Sequence, residues 1–107
     1  PIKVQHGKVH SVCYVIDKKL AYISDVSKIF EKDYKYFKNL KYLIIDCLWN
    51  RNHPSHFNFE KSLKMINIFS PKKAILTNLH TDIDYEIIKK KLPKNIIPAY
   101  DGLSVNL

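Results

Sequence analysis

Two short runs, Tyr42-Leu43-Ile44-Ile45-Asp46 and Lys73-Ala74-Ile75-Leu76-Thr77, constrain the fold of this chain more than any other feature. Both are continuously apolar rather than alternating. That is the pattern of strands covered on both faces, which belong to parallel sheets. A parallel pair needs a crossover, and the residues between supply one. Phe59, Leu63 and Ile66 recur at helical spacing across Phe59 to Phe69, Asn58 offers an N-cap, and Pro71 stops the helix.

The alternation continues on either side. Ser11-Val12-Cys13-Tyr14-Val15-Ile16 and Leu20-Ala21-Tyr22-Ile23-Ser24 are β-rich runs separated by a hairpin at Asp17-Lys18-Lys19. A second helix is predicted from Asp82 to Leu92, with Ile83, Ile87, Ile88 and Leu92 on one face and Pro93 ending it. Ile96-Ile97 and Leu103-Ser104-Val105 are predicted terminal strands, with a turn at Asp101-Gly102. This order specifies the α/β class, as a single domain or part of one, with one helical face.

Composition narrows the function classes. The 46% hydrophobic content of the 107 residues is enough for a core, which excludes wholesale disorder. No apolar run approaches the roughly 18–20 residues that cross a bilayer, and no charged-then-apolar leader opens the chain. Its start at Pro1, close to strand-like residues, reads as a processed, truncated or excised piece. Cys13 and Cys47 lack CxxC spacing and read as reduced core thiols of a cytosolic, cytoplasmic protein. The net charge of +8 invites a nucleic-acid reading, but 17 of the 18 basic residues are Lys and only Arg51 is Arg. That bias, with abundant Ile and Asn, fits an A+T-rich genome. The lysines are dispersed in sequence, with no interleaved aromatic stripe, so nucleic acid is not the favoured partner.

The chemistry lies at strand ends. His6 precedes Gly7, and Asp25 closes the strand Leu20 to Ser24, where a carboxylate at the sheet's carboxyl edge can bridge two cations. His80 stands just past the strand ending at Thr77 and can bring an imidazole to the same edge. One Asp and a few of five histidines fall short of two complete metal shells.

Five blocks carry a family resemblance: HGKVHSVCYVID, AYISDVSKI, YLIIDCLWNRNHPSHFNFEKSL, AILTNLHTDIDYE and LPKNIIPAYDGL. In this order, and over nearly the whole chain, they resemble the C-terminal half of metallo-β-lactamase-fold hydrolases. The phosphoribosyl cyclic phosphodiesterases are the nearest group, and RNase Z is more distant. The resemblance implies half of a four-layer αββα sandwich, one mixed sheet with flanking helices, spanning residues 1–107. It also implies two divalent metal ions, Mn or Zn, which activate a water and stabilise phosphate oxygens. The family's His-x-His-x-Asp-His block does not occur in this sequence.

By the same resemblance, His6, Asp25 and His80 match metal ligands, Asp25 as the bridging carboxylate. Without it, His6 reads as a hydrogen-bonded strand-end residue and Asp25 as an N-cap for a helical region Val26–Phe37. His80 falls two residues after the position where many relatives carry the histidine, and Asn78 occupies that position. Asn78 is a candidate for substrate binding or for hydrogen-bonding a ligand from behind. His53 and His56 flank Pro54 in a loop that faces the active site in the family, so either could donate a proton to the leaving oxygen. Their bland reading is to cap the helix beginning near Phe59. Asp46 would orient one of them. His10 matches no ligand and reads as a loop residue.

The chain departs from the family at Cys13 and at Cys47-Leu48-Trp49, where relatives have Ala-Leu-Arg. The phosphate-binding Arg is lost there, and Arg51 is its candidate replacement. Asp101, in the closing Tyr100-Asp101-Gly102 motif, reads as structural. The resulting expectation is a metal-dependent phosphodiester hydrolase acting on a cyclic phosphate or related small phosphodiester, inactive as this chain alone. It would bind metal weakly or not at all without a missing N-terminal half or a homodimer partner. The sheet face left bare, around Val12, Tyr14, Ile16, Tyr22 and Ile44, should be apolar and exposed. The alternative is a non-enzymatic basic module for RNA or an acidic partner.

Overall fold

The computed structural model describes residues 1–48, 51, 53–80 and 84–107. The strands are β1 (Ile2–His6), β2 (Val9–Ile16), β3 (Leu20–Ile23), β4 (Tyr42–Asp46), β5 (Lys73–Thr77) and β6 (Ile96–Pro98). The helices are α1 (Phe59–Phe69) and α2 (Tyr85–Lys91), with a 3₁₀ turn over Glu31–Tyr36. One mixed sheet holds the strands in chain order. β1, β2 and β3 pair antiparallel, whereas β3, β4, β5 and β6 pair parallel.

The two apolar runs are adjacent parallel strands, Ile44 beside Ile75 and Ile45 beside Leu76. Their crossover is α1, whose first turn is capped by the Asn58 side chain accepting from the Lys61 amide at 2.8 Å. Met65, Ile66 and Phe69 of α1 are buried with Phe37, Leu43, Ile45, Ala74 and Leu76 in a single core. The Phe69 ring lies 5.4 Å from that of Phe37 and 5.2 Å from that of Tyr34. The β2–β3 turn places Asp17 and Lys18 at positive φ, closed by the Lys19 amide on the Ile16 carbonyl.

Three local expectations are corrected. The region after Asp25 is a short 3₁₀ turn beginning at Glu31, so Asp25 caps no helix over Val26–Phe37. The second helix begins at Tyr85, capped by the Asp84 carboxylate on the Ile87 amide; Asp82 and Ile83 lie outside the described residues. Ile88 of this seven-residue helix is buried, whereas Ile87, placed on the same face by the sequence, is 54% exposed, because neighbouring helical positions point about 100° apart. Leu103–Val105 form no strand, because the segment makes no ladder with the sheet after the turn at Asp101-Gly102.

The opposite face of the sheet is apolar and bare. Tyr14 lies beside Tyr22 and Tyr22 beside Ile44 in register. Val12, Tyr14, Ile16 and Tyr22 are between 42% and 52% exposed, and Ile44 is half-buried. This is the strip expected from the sequence.

Candidate active site at the carboxyl edge of the sheet

Strand direction brings the candidate residues to one edge. β3, β4 and β5 run parallel, and β1 runs the same way because two antiparallel pairings separate it from β3. The carboxyl ends of four strands therefore deliver His6, Asp25, Asp46 and Asn78 to the same side, where ligands bind in open α/β sheets.

His6 ends β1, and Gly7 turns the chain at φ 61°. A Cβ at Gly7 would lie 2.7 Å from Ser55 Oγ, so this turn accepts glycine on both conformational and steric grounds. The close approach seats the Ser55 carbonyl 2.6 Å from His6 Nδ1. A carbonyl only accepts, so Nδ1 carries the hydrogen and Nε2 presents its lone pair. The Gly7 amide donates to Ser27 Oγ at 3.0 Å, and the Ser27 amide donates to the Gln5 carbonyl at 2.8 Å. These bonds draw the segment after β3 against β1.

Asp25 sits in that segment at φ 54°, a costly conformation for an aspartate and one concentrated at functional sites. Its carbonyl accepts from Ser11 Oγ at 2.6 Å, and its carboxylate is exposed. The next amide, of Val26, donates to Asp46 Oδ2 at 3.0 Å.

Asp46 is fully buried at the end of β4. Besides the Val26 amide, its carboxylate accepts from Asn78 Nδ2 at 3.2 Å and from His56 Nδ1 at 2.7 Å. Asn78, itself at positive φ, also donates to Ser24 Oγ at 2.8 Å. Its amide thus holds the buried carboxylate from behind. The Asp46 contact makes His56 Nδ1 a donor and turns Nε2 away from the carboxylate.

Ligand atoms of His6, Asp25 and His56 lie within 4.8 Å of one another. The His6 and His56 rings stand edge to face with centroids 4.8 Å apart. His56 Nδ1 is 3.9 Å from Asp25 Oδ1. His53 is beside them, its ring 5.2 Å from that of His56 and its Nδ1 accepting from the Ser55 amide at 3.2 Å. His80 is half-buried at the same edge, its amide bonded to the Leu48 carbonyl, and is not one of the clustered three. Arg51 is exposed in the loop that carries His53 and His56; Trp49 lies outside the described residues. His10 is exposed, its ring 6.4 Å from that of Phe30. A cavity of about 440 Å³, lined by Asn78, Leu79, Tyr100 and Asp101 among others, lies at the carboxyl ends of β5 and β6.

Sequence reasoning did not find Ser55, Ser27 or Ser24, which position the cluster through a backbone carbonyl and two hydroxyls. The one available signal was the middle position of His-Pro-x-His.

No protein-family model and no curated protein matches the sequence. Among solved structures, the chain is similar to a new diphosphatase from the PhnP family, with 27% identity and a TM-score of 0.95. The fold is that of the PhnP-family diphosphatase. The similarity covers 100% of this chain and 42% of that one. The metallo-β-lactamase-like α/β architecture implied by the sequence blocks is thereby shown.

Proposed function

We propose that this chain is the C-terminal half of a metal-dependent phosphodiesterase of the metallo-β-lactamase type, acting on a cyclic phosphate or related small phosphodiester. The observation that carries this reading is the bond of His56 Nδ1 to the buried Asp46, next to His6 and Asp25 at the carboxyl edge. It is supported by the likeness to the PhnP-family diphosphatase, of which the chain spans 42%.

The donor set suits a divalent cation of the Mn or Zn kind: a neutral imidazole whose Nε2 is set by a carbonyl on Nδ1, and an exposed carboxylate. His6 and Asp25 would hold the metals, with His80 brought in as a third ligand. When bound, the metals supply Lewis-acid stabilisation of phosphate oxygens and an activated water.

His56 serves as the proton donor. Asp46 fixes the ring through Nδ1, which leaves Nε2 to face a leaving oxygen. His53, whose ring meets that of His56 edge to face, lies one ring further from the carboxylate. Asn78 lines the cavity that would take the non-reacting part of a substrate, and Arg51, exposed in the loop that carries His53 and His56, would bind its phosphate. The companion is a polypeptide half bearing the His-x-His-x-Asp-His block, docked on the bare face at Val12, Tyr14, Ile16 and Tyr22.

Roles are tested in the protein assembled with that companion. Asp25→Asn is expected to lose both bound Mn²⁺ and phosphodiester turnover. His56→Gln is expected to retain the metal and lose turnover by about 10²-fold or more. Loss of metal in the His56 variant would make it a ligand and overturn the proton-donor assignment.

A further inference from the structure

The topology gathers lysines that are dispersed in sequence. The connections at the amino ends of the parallel strands are residues 17–19 before β3, 38–41 before β4, 70–72 with the first residue of β5, Lys73, and 92–95 before β6. They carry Lys18, Lys19, Lys38, Lys41, Lys72, Lys73 and Lys94, all exposed. The last turn of α2, which leads into the fourth connection, adds exposed Lys90 and Lys91. Asp17 is the one acidic side chain on the four connections. Among the described residues, the ion pairs found leave these lysines without a carboxylate partner. Lys41 reaches the Asn106 carbonyl at 2.8 Å. Among the described residues, the remaining acids lie on other elements, with Asp25, Asp46 and Asp101 at the opposite edge.

We propose that this edge is a docking surface for a single-stranded nucleic acid, held through its phosphate backbone. Adjacent strands are about 4.8 Å apart, so the four connections form one row of cations roughly 15 Å long. A row one layer deep matches one phosphodiester strand, and neutralising its phosphates releases counterions. None of the exposed large apolar side chains is on these connections, so a bilayer would find nothing to take up. With lysine as point charges and no arginine in the row, recognition is independent of base sequence. The surface is at the far edge from the candidate site and does not depend on its chemistry.

The test is fluorescence anisotropy of the chain with a labelled oligouridine of about 12 nucleotides, titrated at several salt concentrations. Contacts to about three to five phosphates predict a log–log salt slope between about −2 and −3.5. An oligothymidine of equal length is expected to bind within about twofold, because backbone contacts ignore the 2′-hydroxyl. The triple variant Lys19→Glu, Lys72→Glu, Lys94→Glu should weaken binding at least about tenfold. Lys28→Glu, Lys61→Glu, Lys64→Glu, beside α1, makes the same net charge change and should weaken it less than about threefold. A Gln version of the edge triple guards against a folding defect and should still weaken binding more than the control. Equal losses in both triples, a flat salt dependence, or binding to phosphatidylserine vesicles without binding to RNA would overturn the proposal.

Discussion

At the residue scale, Asp46 and Asp25 differ in burial and therefore in the roles proposed for them. Asp46 is fully buried and accepts three hydrogen bonds, so Asp46→Ala strands the Val26 amide and unseats His56 and Asn78. Loss of buried, charge-assisted bonds predicts destabilisation of about 2–3 kcal/mol in denaturant unfolding. Asp25 offers an exposed carboxylate, and Asp25→Asn should change stability by less than about 0.5 kcal/mol. A large loss from Asp25→Asn would assign that carboxylate to the scaffold. The two thiols give a pH signature. Burial raises Cys13 and Cys47 from 9.0 to about 12. Folded thiols then keep their protons where unfolded ones lose them, so the stability they contribute is full below pH 9 and falls as pH rises toward 12. The decline reaches up to about 1.4 kcal/mol per pH unit for each thiol. A Cys13→Ala, Cys47→Ala variant should show a flatter fall in unfolding free energy between pH 9 and pH 11, and an unchanged slope would contradict this account.

Among the elements, the β1–β2 turn and the 53–57 loop act as one unit. Gly7→Ala meets both the positive φ and Ser55 Oγ, which predicts a loss of about 1–2 kcal/mol. Pairing it with Ser55→Gly relieves the steric part only, so recovery in thermal unfolding should be partial. Complete recovery would mean that the backbone conformation costs nothing. This coupling explains what the sequence could show. The central strands were legible because burial on both faces writes itself as a continuous apolar run, and α1 because cap, period and stop agree. Leu103–Val105 alternates like a strand, but pairing is a tertiary fact, and no ladder receives it beyond β6. Ile87 and Ile88 were both assigned to the buried face of the second helix, but neighbouring positions point about 100° apart, and of the two it is Ile88 that meets the core. Asp46, His53 and His56 could be named as a set from the resemblance. Which imidazole meets the carboxylate depends on the loop conformation fixed against Gly7, and no residue spacing encodes that.

For the whole molecule, the sheet has one face with a core and helices and one face without cover. Its carboxyl edge clusters two imidazoles and an exposed carboxylate. Both features suit the proposed completion from outside, as does a chain that spans 42% of the diphosphatase it resembles. An exposed strip of Val12, Tyr14, Ile16 and Tyr22 at this scale favours association. The central claim is that the site is a half-site. The most direct measurement is Mn²⁺-dependent hydrolysis of bis(p-nitrophenyl) phosphate by this chain, alone and mixed with a companion half bearing a His-x-His-x-Asp-His block. The account predicts no turnover above background for the chain alone, turnover on mixing, and loss of that turnover with Asp25→Asn. Metal-dependent turnover by the chain alone, unchanged when the companion is added, would contradict it.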